Sequence, residues 1–410
     1  MSYFFCTFAA RNNMYIVMKK IWYLFAVIFA VMFTACENGP QNPGGGGSGG
    51  SGGSGDGGSG GSSGGSGSED TYVAPELTPE GDKTLLWPAL DTTNNMYGYI
   101  NEKGEIAIPG RYDTAFTFCC GLAYTSTNYV VNFINSQGEI VASGMNNAAS
   151  PYFTYNRIKF MSHVYTGMWN ENFQEVFPAE YERLGEPTAD GLIMYRKHID
   201  FNPVRCGYKD MDGNDVLPIK YVNGTDFFEG MASVTIQDSV TGKDLYAVID
   251  KKGNYVIEPC GMMLAPFGEG LFFHWIPEQP CFDLVSKDGK VLIDGLIGGS
   301  CFKGGIAMIK KSDELWYFIN KECHVILGPY TEARDFFNGL AWTKASPSAH
   351  WKAIDRSGKV LVELVDDVVP ETDYHNGLSL VKYVQPTFSQ HWYLDKEGKV
   401  IYRWMLGSDK

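Results

Sequence analysis

The feature that most constrains the fold of this chain is a short segment that recurs nine times. Its clearest copy, residues 246–259, reads YAVIDKKGNYVIEP: one apolar run leads into Asp250, two lysines and Gly253, and a second apolar run follows. The glycine position recurs at intervals of 34 to 41 residues, at 104, 138, 172, 213, 253, 289, 323, 358 and 398. A unit of this size cannot bury a core alone, so the copies must stack against one another.

Each copy predicts a β-hairpin, because the residues between its two apolar runs have turn chemistry. Asp, Asn or Ser at the first turn position can accept hydrogen bonds from turn amides, and glycine three residues later can adopt positive φ. This pattern is typical of a type I turn closed by a glycine bulge. The clearest pairs are Asn101 and Gly104, Asp210 and Gly213, Asp250 and Gly253, Asp355 and Gly358, and Asp395 and Gly398. In two weaker copies, Asn172 and Cys323 take the glycine position.

A second signature, Gly-Leu or a close variant, follows most turns after 16 to 19 residues. It begins another short alternating strand, such as MASVTI at 231–236. Aromatic residues often precede this signature, and a proline followed by a tyrosine often lies between it and the hairpin. One unit is therefore predicted to hold a hairpin, one further strand and a tyrosine-containing connection.

These segments resemble the repeats of the WG-repeat family, whose pattern runs FxxGLAxV, then WGYID, then xxGKxVIPPxYD. The resemblance covers about residues 83–410. The Trp-Gly pair that names the family departs most: its glycine is kept only at Gly98 and Gly207, whereas a bulky residue fills the Trp position in most copies. The family has no settled common activity, so the resemblance implies a β-repeat fold and little about function.

The predicted fold is all-β, with tandem repeats of about 34–41 residues, each a β-hairpin plus one further strand. Such repeats can stack into an open twisted solenoid or close into a propeller-like ring. Three strands per unit are few for a four-stranded propeller blade. The repeats also begin and end with a hairpin, which leaves no obvious strand to exchange between the two ends. We therefore favour the open solenoid, with the closed ring as the alternative.

The N-terminal segment has the layout of an export signal. Residues 18–36 read MKKIWYLFAVIFAVMFTAC: two lysines precede an apolar run shorter than the ~20 residues of a membrane span, and two small residues precede Cys36. The segment resembles the lipobox of bacterial lipoproteins. The resemblance implies that residues 1–36 are a signal peptide and that Cys36 is lipidated. Residues 1–17 lack the form of a signal n-region, so Met18 is the better predicted start. An ordinary secretory signal or a signal anchor is the alternative.

A Gly/Ser-rich tract separates this signal from the repeats. Residues 37–70 cannot bury apolar surface and are predicted to be a disordered tether with a span of ~30–35 Å. Residues 71–410 form the repeat domain. Anchor, spacer and domain together predict an outer-membrane lipoprotein that faces either the periplasm or the exterior. The formal charge of −14 argues against nucleic acid as a partner, because phosphate binding needs clustered Lys and Arg.

The sequence contains no recognisable catalytic or cofactor motif. DMDGND at 210–215 has the composition of a calcium loop, but Gly213 falls at position 4 rather than 6, and the stretch aligns with the hairpin turns. No metal site and no cofactor is predicted. The seven histidines are scattered, and no HExxH, GxSxG or phosphate loop occurs. A hydrolase remains an alternative, and its structural sign would be two carboxylates, or a histidine with a nucleophile, in one cleft.

One segment of the unit varies in length while the turn does not. Between the Gly-Leu signature and the next turn residue the distance ranges from 14 to 20 residues. In a stacked array these segments would share one edge or face, where binding residues often lie. The candidate binding residues in these loops are Arg196, His198, His274, Trp275, Tyr383 and Phe388. The leading hypothesis is a lipid-anchored envelope protein that binds a protein or glycan or acts as a scaffold. A purely structural brace is the alternative.

Overall fold

The computed structural model describes residues 84–198, 203–276, 279, 281–365 and 367–407. These residues form 34 β-strands and no α-helix, and the strands make nine antiparallel sheets. The sheets are the blades of a ring, so the fold is a nine-bladed β-propeller and the all-β prediction is confirmed. The predicted signal peptide, Cys36 and the tether lie outside the described residues.

The strands of each blade follow one another in chain order. Blade 1 holds β1 (Trp87–Asp91), β2 (Met96–Ile100) and β3 (Ile106–Tyr112); blade 2 holds β4 (Thr114–Ala115), β5 (Ala123–Thr127), β6 (Val130–Ile134) and β7 (Ile140–Ser143); blade 3 holds β8 (Arg157–Ser162), β9 (Tyr165–Asn170) and β10 (Glu175–Tyr181). Blade 4 holds β11 (Arg183–Leu184), β12 (Leu192–Lys197), β13 (Arg205–Asp210) and β14 (Asp215–Tyr221); blade 5 holds β15 (Asn223–Gly224), β16 (Met231–Gln237), β17 (Asp244–Asp250) and β18 (Tyr255–Cys260); blade 6 holds β19 (Met263–Gly268), β20 (Leu271–Ile276), β21 (Cys281–Ser286) and β22 (Val291–Leu296). Blade 7 holds β23 (Gly298–Lys303), β24 (Ile306–Lys310), β25 (Trp316–Asn320) and β26 (Val325–Tyr330); blade 8 holds β27 (Glu332–Ala333), β28 (Leu340–Lys344), β29 (Lys352–Asp355) and β30 (Val360–Glu363); blade 9 holds β31 (Val368–Pro370), β32 (Ser379–Gln385), β33 (Phe388–Leu394) and β34 (Val400–Gly407).

Seven blades have four strands, which we name A to D in chain order, and the predicted three-strand unit is therefore incomplete. The strand that the sequence analysis missed is strand A. In four blades it is only two residues long, as in β4 and β11, and it begins two residues after the tyrosine of the predicted connection. Within the described residues blades 1 and 3 have strands B, C and D only; in blade 3 a single bridge between Ala148 and Phe160 takes the place of strand A.

The favoured open solenoid is wrong, and the alternative of a closed propeller-like ring is confirmed. Blade 9 packs against blade 1 through a shared apolar cluster that includes Trp87, Tyr393 and Trp404. The Trp87 indole N–H donates to the His375 carbonyl at 2.9 Å, and the Tyr393 hydroxyl donates to the Pro88 carbonyl at 2.9 Å. Within the described residues the ring closes by side-chain packing and hydrogen bonds between blades 9 and 1, and no strand is exchanged between them. The lack of an exchangeable strand was therefore no argument against closure.

The hairpin turns have the predicted chemistry. In the clearest copy the Gly253 amide donates to the Asp250 carbonyl at 2.9 Å, while Asp250 Oδ1 accepts from the Lys252 and Asn254 amides at 2.9 Å each. The same backbone bond occurs in all nine copies. Positive φ is found at Gly104, Gly138, Gly213, Gly253, Gly289, Gly358 and Gly398, and also at Cys323. The prediction for the worn copy was off by one residue, because Phe173, with φ of +57°, takes the glycine position instead of Asn172.

The Gly-Leu signature marks a second, tighter turn that joins strands A and B. In blade 5, Glu229 and Gly230 have φ of +48° and +77°, between Phe228 and Met231, whose backbones exchange two hydrogen bonds. Two successive residues at positive φ define a type I′ hairpin turn, and glycine is favoured in its second place. The aromatic residue before the turn enters the core, as Phe227 does in the cluster between blades 4 and 5.

Consecutive strands run in opposite directions, so the connections divide between two faces of the ring. The A–B and C–D turns emerge on one face, which we call the turn face. Its neighbouring turns contact each other: the Gly230 amide donates to Asp190 Oδ1 at 2.9 Å in the preceding blade. The B–C loops and D–A connections emerge on the opposite face, which we call the loop face. Among the described residues, none forms a helix sufficiently long and apolar to span a lipid bilayer.

Candidate binding surface

The segments of variable length are the B–C loops, so the topology brings them to one face of the ring. The six candidate residues lie at the loop-face ends of strands in three blades: Arg196 and His198 in blade 4, His274 and Trp275 in blade 6, and Tyr383 and Phe388 in blade 9. No two of these blades are neighbours. The structure therefore brings the candidates together in pairs, and it does not bring the three pairs to one site.

The pair in blade 4 converges on one carboxylate. Glu182 Oε2 lies 3.3 Å from Arg196 Nε, and Glu182 Oε1 lies 3.5 Å from His198 Nε2. Lys197 pairs with Glu180 at 3.1 Å on the same strand edge. These groups are partly exposed and balance each other's charge. The loop that follows them, residues 199–202, lies outside the described residues.

The aromatic candidates pack mainly within their own blades. The Trp275 ring lies 5.6 Å from the Phe282 ring and belongs to the apolar cluster of blades 6 and 7, and His274 is half-buried beside it on β20. The Tyr383 and Phe388 rings lie 6.3 Å apart across the tip of the β32–β33 hairpin, and Gln385 Nε2 donates to the Tyr383 hydroxyl at 2.7 Å. Much of each ring therefore covers its own sheet.

Sequence reasoning missed a group of exposed apolar residues on the loop face, because they lie in short B–C turns rather than in long loops. In blade 2, Tyr129 is 94% exposed at the tip of the β5–β6 turn, and Val130 beside it is also exposed. In blade 3, Val164 is 73% exposed at the tip of the β8–β9 turn, next to the exposed Tyr165. The signal was available: two-residue turns are normally built from Gly, Asn and Asp, so Tyr and Val at the tip are unusual.

The backbone that carries Tyr129 is held on both sides. Asp113 Oδ2 accepts from the Asn128 amide at 2.7 Å, and Asn146 Nδ2 donates to the Tyr129 carbonyl at 2.6 Å. Asn128 and Tyr129 both have positive φ, of +50° and +64°. The turn therefore presents an exposed aromatic ring on a fixed backbone.

The turns of blades 2 and 3 are joined by the segment between the two blades. Asn146 bonds to the Tyr129 carbonyl, while the next residue, Asn147, donates from Nδ2 to the Met161 carbonyl at 3.3 Å. Met161 is itself exposed and lies close to the tip of the blade 3 turn. We refer to the five exposed apolar residues on these two turns as the loop-face patch. It consists of Tyr129, Val130, Met161, Val164 and Tyr165.

A polar pocket of about 440 Å³ adjoins the loop-face patch, and Met161 belongs to both. It lies between blades 3 and 4. Its polar lining is mixed in charge and rich in hydroxyl groups, and it comprises Ser150, Tyr152, Thr154, Lys159, Thr166, Glu182, Arg183 and Glu186. Lys159 forms an ion pair with Glu186 across the pocket wall. Since Glu182 also holds Arg196 and His198, the patch, the pocket and the blade 4 pair form one continuous region.

A buried carboxyl group lies beside this pocket. The pKa of Asp226 is raised to about 6, mainly by burial and also by the neighbouring carboxylate of Glu186, although Lys159 and Arg183 act to lower it. The Glu186 backbone N–H donates to the Asp226 carboxylate. Asp226 Oδ1 is shielded from solvent, and no donor in the described part of the chain reaches it. Carboxyl groups whose pKa is shifted by burial are enriched at functional sites, because chemistry at such sites needs pKa values matched to the task.

Comparisons with known proteins agree with the repeat and with the propeller. Residues 97–129 match the model of the WG containing repeat family, which supports a WG-repeat protein. No curated protein matches the chain. A crystal structure of a eukaryotic initiation factor is similar, with a TM-score of 0.53 and 11% identity over 78% of this chain and 95% of that chain. At this identity the likeness concerns the fold alone.

Two further solved structures are similar at lower TM-scores. Saccharomyces cerevisiae Sqt1 has a TM-score of 0.32 and 12% identity over 70% of this chain and 92% of that chain. The WD40 β-propeller domain of Doa1 has a TM-score of 0.29 and 10% identity over 55% of this chain and 86% of that chain.

Proposed function

We propose that this protein is a scaffold whose propeller holds a protein partner on the loop face, over blades 2 to 4. The observation that carries this proposal is the loop-face patch, in which exposed apolar side chains lie on two neighbouring B–C turns whose backbones are connected through Asn146 and Asn147. Grouped apolar surface on a folded domain is typical of a protein contact site. A tyrosine loses little conformational entropy on binding and supplies a large apolar face, so Tyr129 is the expected centre of the contact.

The pocket beside the patch supplies the polar part of the contact. Its lysine, arginine and carboxylates, with several hydroxyl groups, can hydrogen-bond a charged or amide side chain of the partner. An apolar centre with a polar border is the usual composition of a protein interface. The expected partner therefore offers an apolar residue to Tyr129 and Val164 and a polar side chain to the pocket.

The scaffold role is better supported than recognition through the long loops. Trp275, Tyr383 and Phe388 pack against their own sheets, so each would have to leave a packed position to contact a partner. A brace that contacts the short turns of the loop face needs no such movement. We therefore place the contact on the rigid turns of blades 2 and 3.

Photocrosslinking tests this proposal. A benzophenone amino acid at position 129 of the full chain should capture a discrete protein in the cells that produce it, and Val164→Asp should lower the yield at least ~10-fold, because a carboxylate would be desolvated in the contact. The matched control places the same probe at Val240, which is 89% exposed in the B–C loop of blade 5. Equal capture of the same protein at both positions, or a yield unchanged by Val164→Asp, would show that the patch is not the contact.

We also propose that lipid on Cys36 anchors the scaffold to the bacterial outer membrane. The support is the order of segments in the sequence: an apolar run, a cysteine, a Gly/Ser tract and then the repeats. Cells that produce the full chain should incorporate labelled palmitate into it, and Cys36→Ala should abolish the incorporation. Cys6→Ala is the matched control, because Cys6 precedes the apolar run. Labelling that survives Cys36→Ala would refute the anchor and leave the binding proposal untouched.

A further inference from the structure

Three side chains of blade 9 form a hydrogen-bonded chain of serine, histidine and glutamate. Ser389 Oγ lies 2.9 Å from His391 Nε2, and His391 Nδ1 lies 3.0 Å from Glu371 Oε2. Ser389 and His391 are two residues apart on β33, so their side chains project from the same side of the sheet. Glu371 directly follows β31 and reaches them from the start of the blade.

The groups around these three side chains indicate which atom donates and which accepts in each hydrogen bond. The hydrogen bond from His391 lowers the pKa of Glu371, and the ammonium of Lys382, 3.4 Å from Glu371 Oε1, lowers it further. Glu371 is therefore a carboxylate that accepts from Nδ1–H, which leaves Nε2 to accept from the Ser389 hydroxyl. The Trp404 ring stacks on the imidazole, with centroids 5.4 Å apart and planes 9° apart, and fixes its orientation.

We infer that Ser389, His391 and Glu371 are a nucleophilic triad that cleaves carboxylic esters. A serine hydroxyl bonded to a histidine, which is in turn oriented by a carboxylate, is the arrangement that activates serine as a nucleophile, whatever the fold. Ser389 and His391 are the catalytic residues, because they would touch the reacting atoms. Glu371 is a positioning residue, since it acts through His391. This inference is independent of the scaffold role, which concerns blades 2 to 4.

The neighbours of Ser389 define the class of ester. Val384 and Leu406 lie directly opposite Ser389 on the two adjacent strands, so their side chains flank the hydroxyl on the same side of the sheet. Val384 is 56% exposed, and Ser389 and His391 are half-buried at the loop-face end of the blade. A short apolar acyl group fits this setting better than a charged one. We therefore assign small apolar acyl esters as the substrate class, with water as the second reactant.

The reaction balances without any further reagent. Ser389 Oγ bonds to the carbonyl carbon while its proton passes to His391 Nε2, and the ester C–O bond then breaks as the leaving alcohol takes that proton. Water next attacks the acyl carbon, giving one proton to Nε2. The bond from the carbon to Oγ breaks, and Nε2 returns the proton to Ser389. One ester and one water give one alcohol and one carboxylic acid, with no change of oxidation state.

Covalent labelling tests the nucleophile directly. The full chain should react with a fluorophosphonate probe at one site, and peptide mass mapping should place the adduct on Ser389. Ser389→Ala should abolish the label, whereas Ser348→Ala, which removes an exposed hydroxyl in the B–C loop of blade 8, should leave it unchanged. Mapping on the wild-type chain needs no variant, so a folding defect cannot obscure the result. Absence of label, or an adduct on another residue, would overturn the inference.

Ester hydrolysis then tests the roles of the three residues. With p-nitrophenyl butyrate, Ser389→Ala and His391→Gln should each lower kcat/KM at least ~100-fold, the usual contribution of a positioned base. Glu371→Gln should lower kcat ~10-fold or more while KM stays within twofold, because it misorients the imidazole without changing the acyl site. A KM increase at unchanged kcat would instead mean that Glu371 only shapes the surface. Hydrolysis that survives Ser389→Ala would overturn the triad.

Discussion

The two faces of the propeller are built on different principles. On the turn face the same C–D turn recurs in all nine blades, with the same backbone hydrogen bond and a residue at positive φ. On the loop face no two B–C loops share a length and a composition, and the exposed apolar residues occur in only some of them. The turn face is set by local backbone chemistry, which repeats with the sequence. The surface of the loop face depends on the B–C loop of each blade and on which loops become neighbours in the ring.

The largest effect should come from the turn-face contact that closes the ring. Trp87 is 2% exposed, packs against blade 9 and donates its indole N–H to His375. Trp87→Ala should lower the free energy of unfolding by ~3–5 kcal/mol, as for other large buried aromatic residues, with urea unfolding as the measurement. Trp87→Phe keeps most of the apolar contact and loses one hydrogen bond, so it should cost only ~1–2 kcal/mol. A loss below ~1 kcal/mol for Trp87→Ala would mean that the ring is not held at this junction.

The second prediction distinguishes two reasons why a turn position needs glycine: its positive φ and the lack of space for a Cβ atom. Gly104 has φ of +80°, and a Cβ there would lie 2.2 Å from the Ile401 carbonyl oxygen in blade 9. Gly104→Ala should therefore cost ~3 kcal/mol, the sum of left-handed strain and overpacking. Gly270→Ala is the control: its φ is +75°, but nothing lies within 4 Å of the added carbon, so strain alone should cost ~1–2 kcal/mol. Equal losses in a thermal or urea titration would show that the blade 9 contact adds nothing.

The third prediction concerns the loop-face pocket and its pH dependence. The folded state raises the pKa of Asp226 to about 6, above the 3.8 of an ordinary aspartate. The folded state therefore binds this proton more tightly than the unfolded state does. The stabilisation of the folded state by the bound proton is complete below about pH 4 and is lost as the pH rises through about 6. Asp226→Asn should raise the free energy of unfolding by ~2–3 kcal/mol at pH 8 and change it little at pH 4, because the cost of burying the charge disappears. If the free energies of unfolding of wild type and variant differed by the same amount at both pH values, this assignment would be contradicted.

The sequence predicted the fold where the physics is local. The Asp250 and Gly253 turn and its copies follow from hydrogen-bonding groups and φ preferences within five residues, and they are correct in eight of the nine blades. The error at Asn172 arose because the turn of this worn copy was placed one residue too early, and Phe173 takes the glycine position. Strand A of most blades was missed, since two residues such as Thr114 and Ala115 carry no periodicity.

What could not be predicted depends on contacts between distant parts of the chain. Ring closure rests on Trp87 and His375, which lie 288 residues apart. Likewise, the carboxylate of the proposed triad, Glu371, lies 20 residues before His391, and only the fold brings the two side chains together. Trp275 and Tyr383 were predicted to lie in long loops, but they lie on β20 and β32, only two residues separate β32 from β33, and both side chains pack against apolar clusters shared with a neighbouring blade. Loop length indicated the face, and it did not indicate which side chains remain exposed there.

The smallest effect is expected at the tips of the loop-face turns. Tyr129→Ser and Val164→Ser each remove a largely exposed side chain, so each should change the free energy of unfolding by less than ~0.5 kcal/mol. Trp169→Ser in blade 3 is the contrasting change, because its ring stacks on Phe160 with centroids 4.2 Å apart and should cost several-fold more. If the two tip variants instead lost as much stability as Trp169→Ser, these residues would be part of the core. Their exposure would then no longer argue for a partner, and the difference between the two faces would be one of loop length alone.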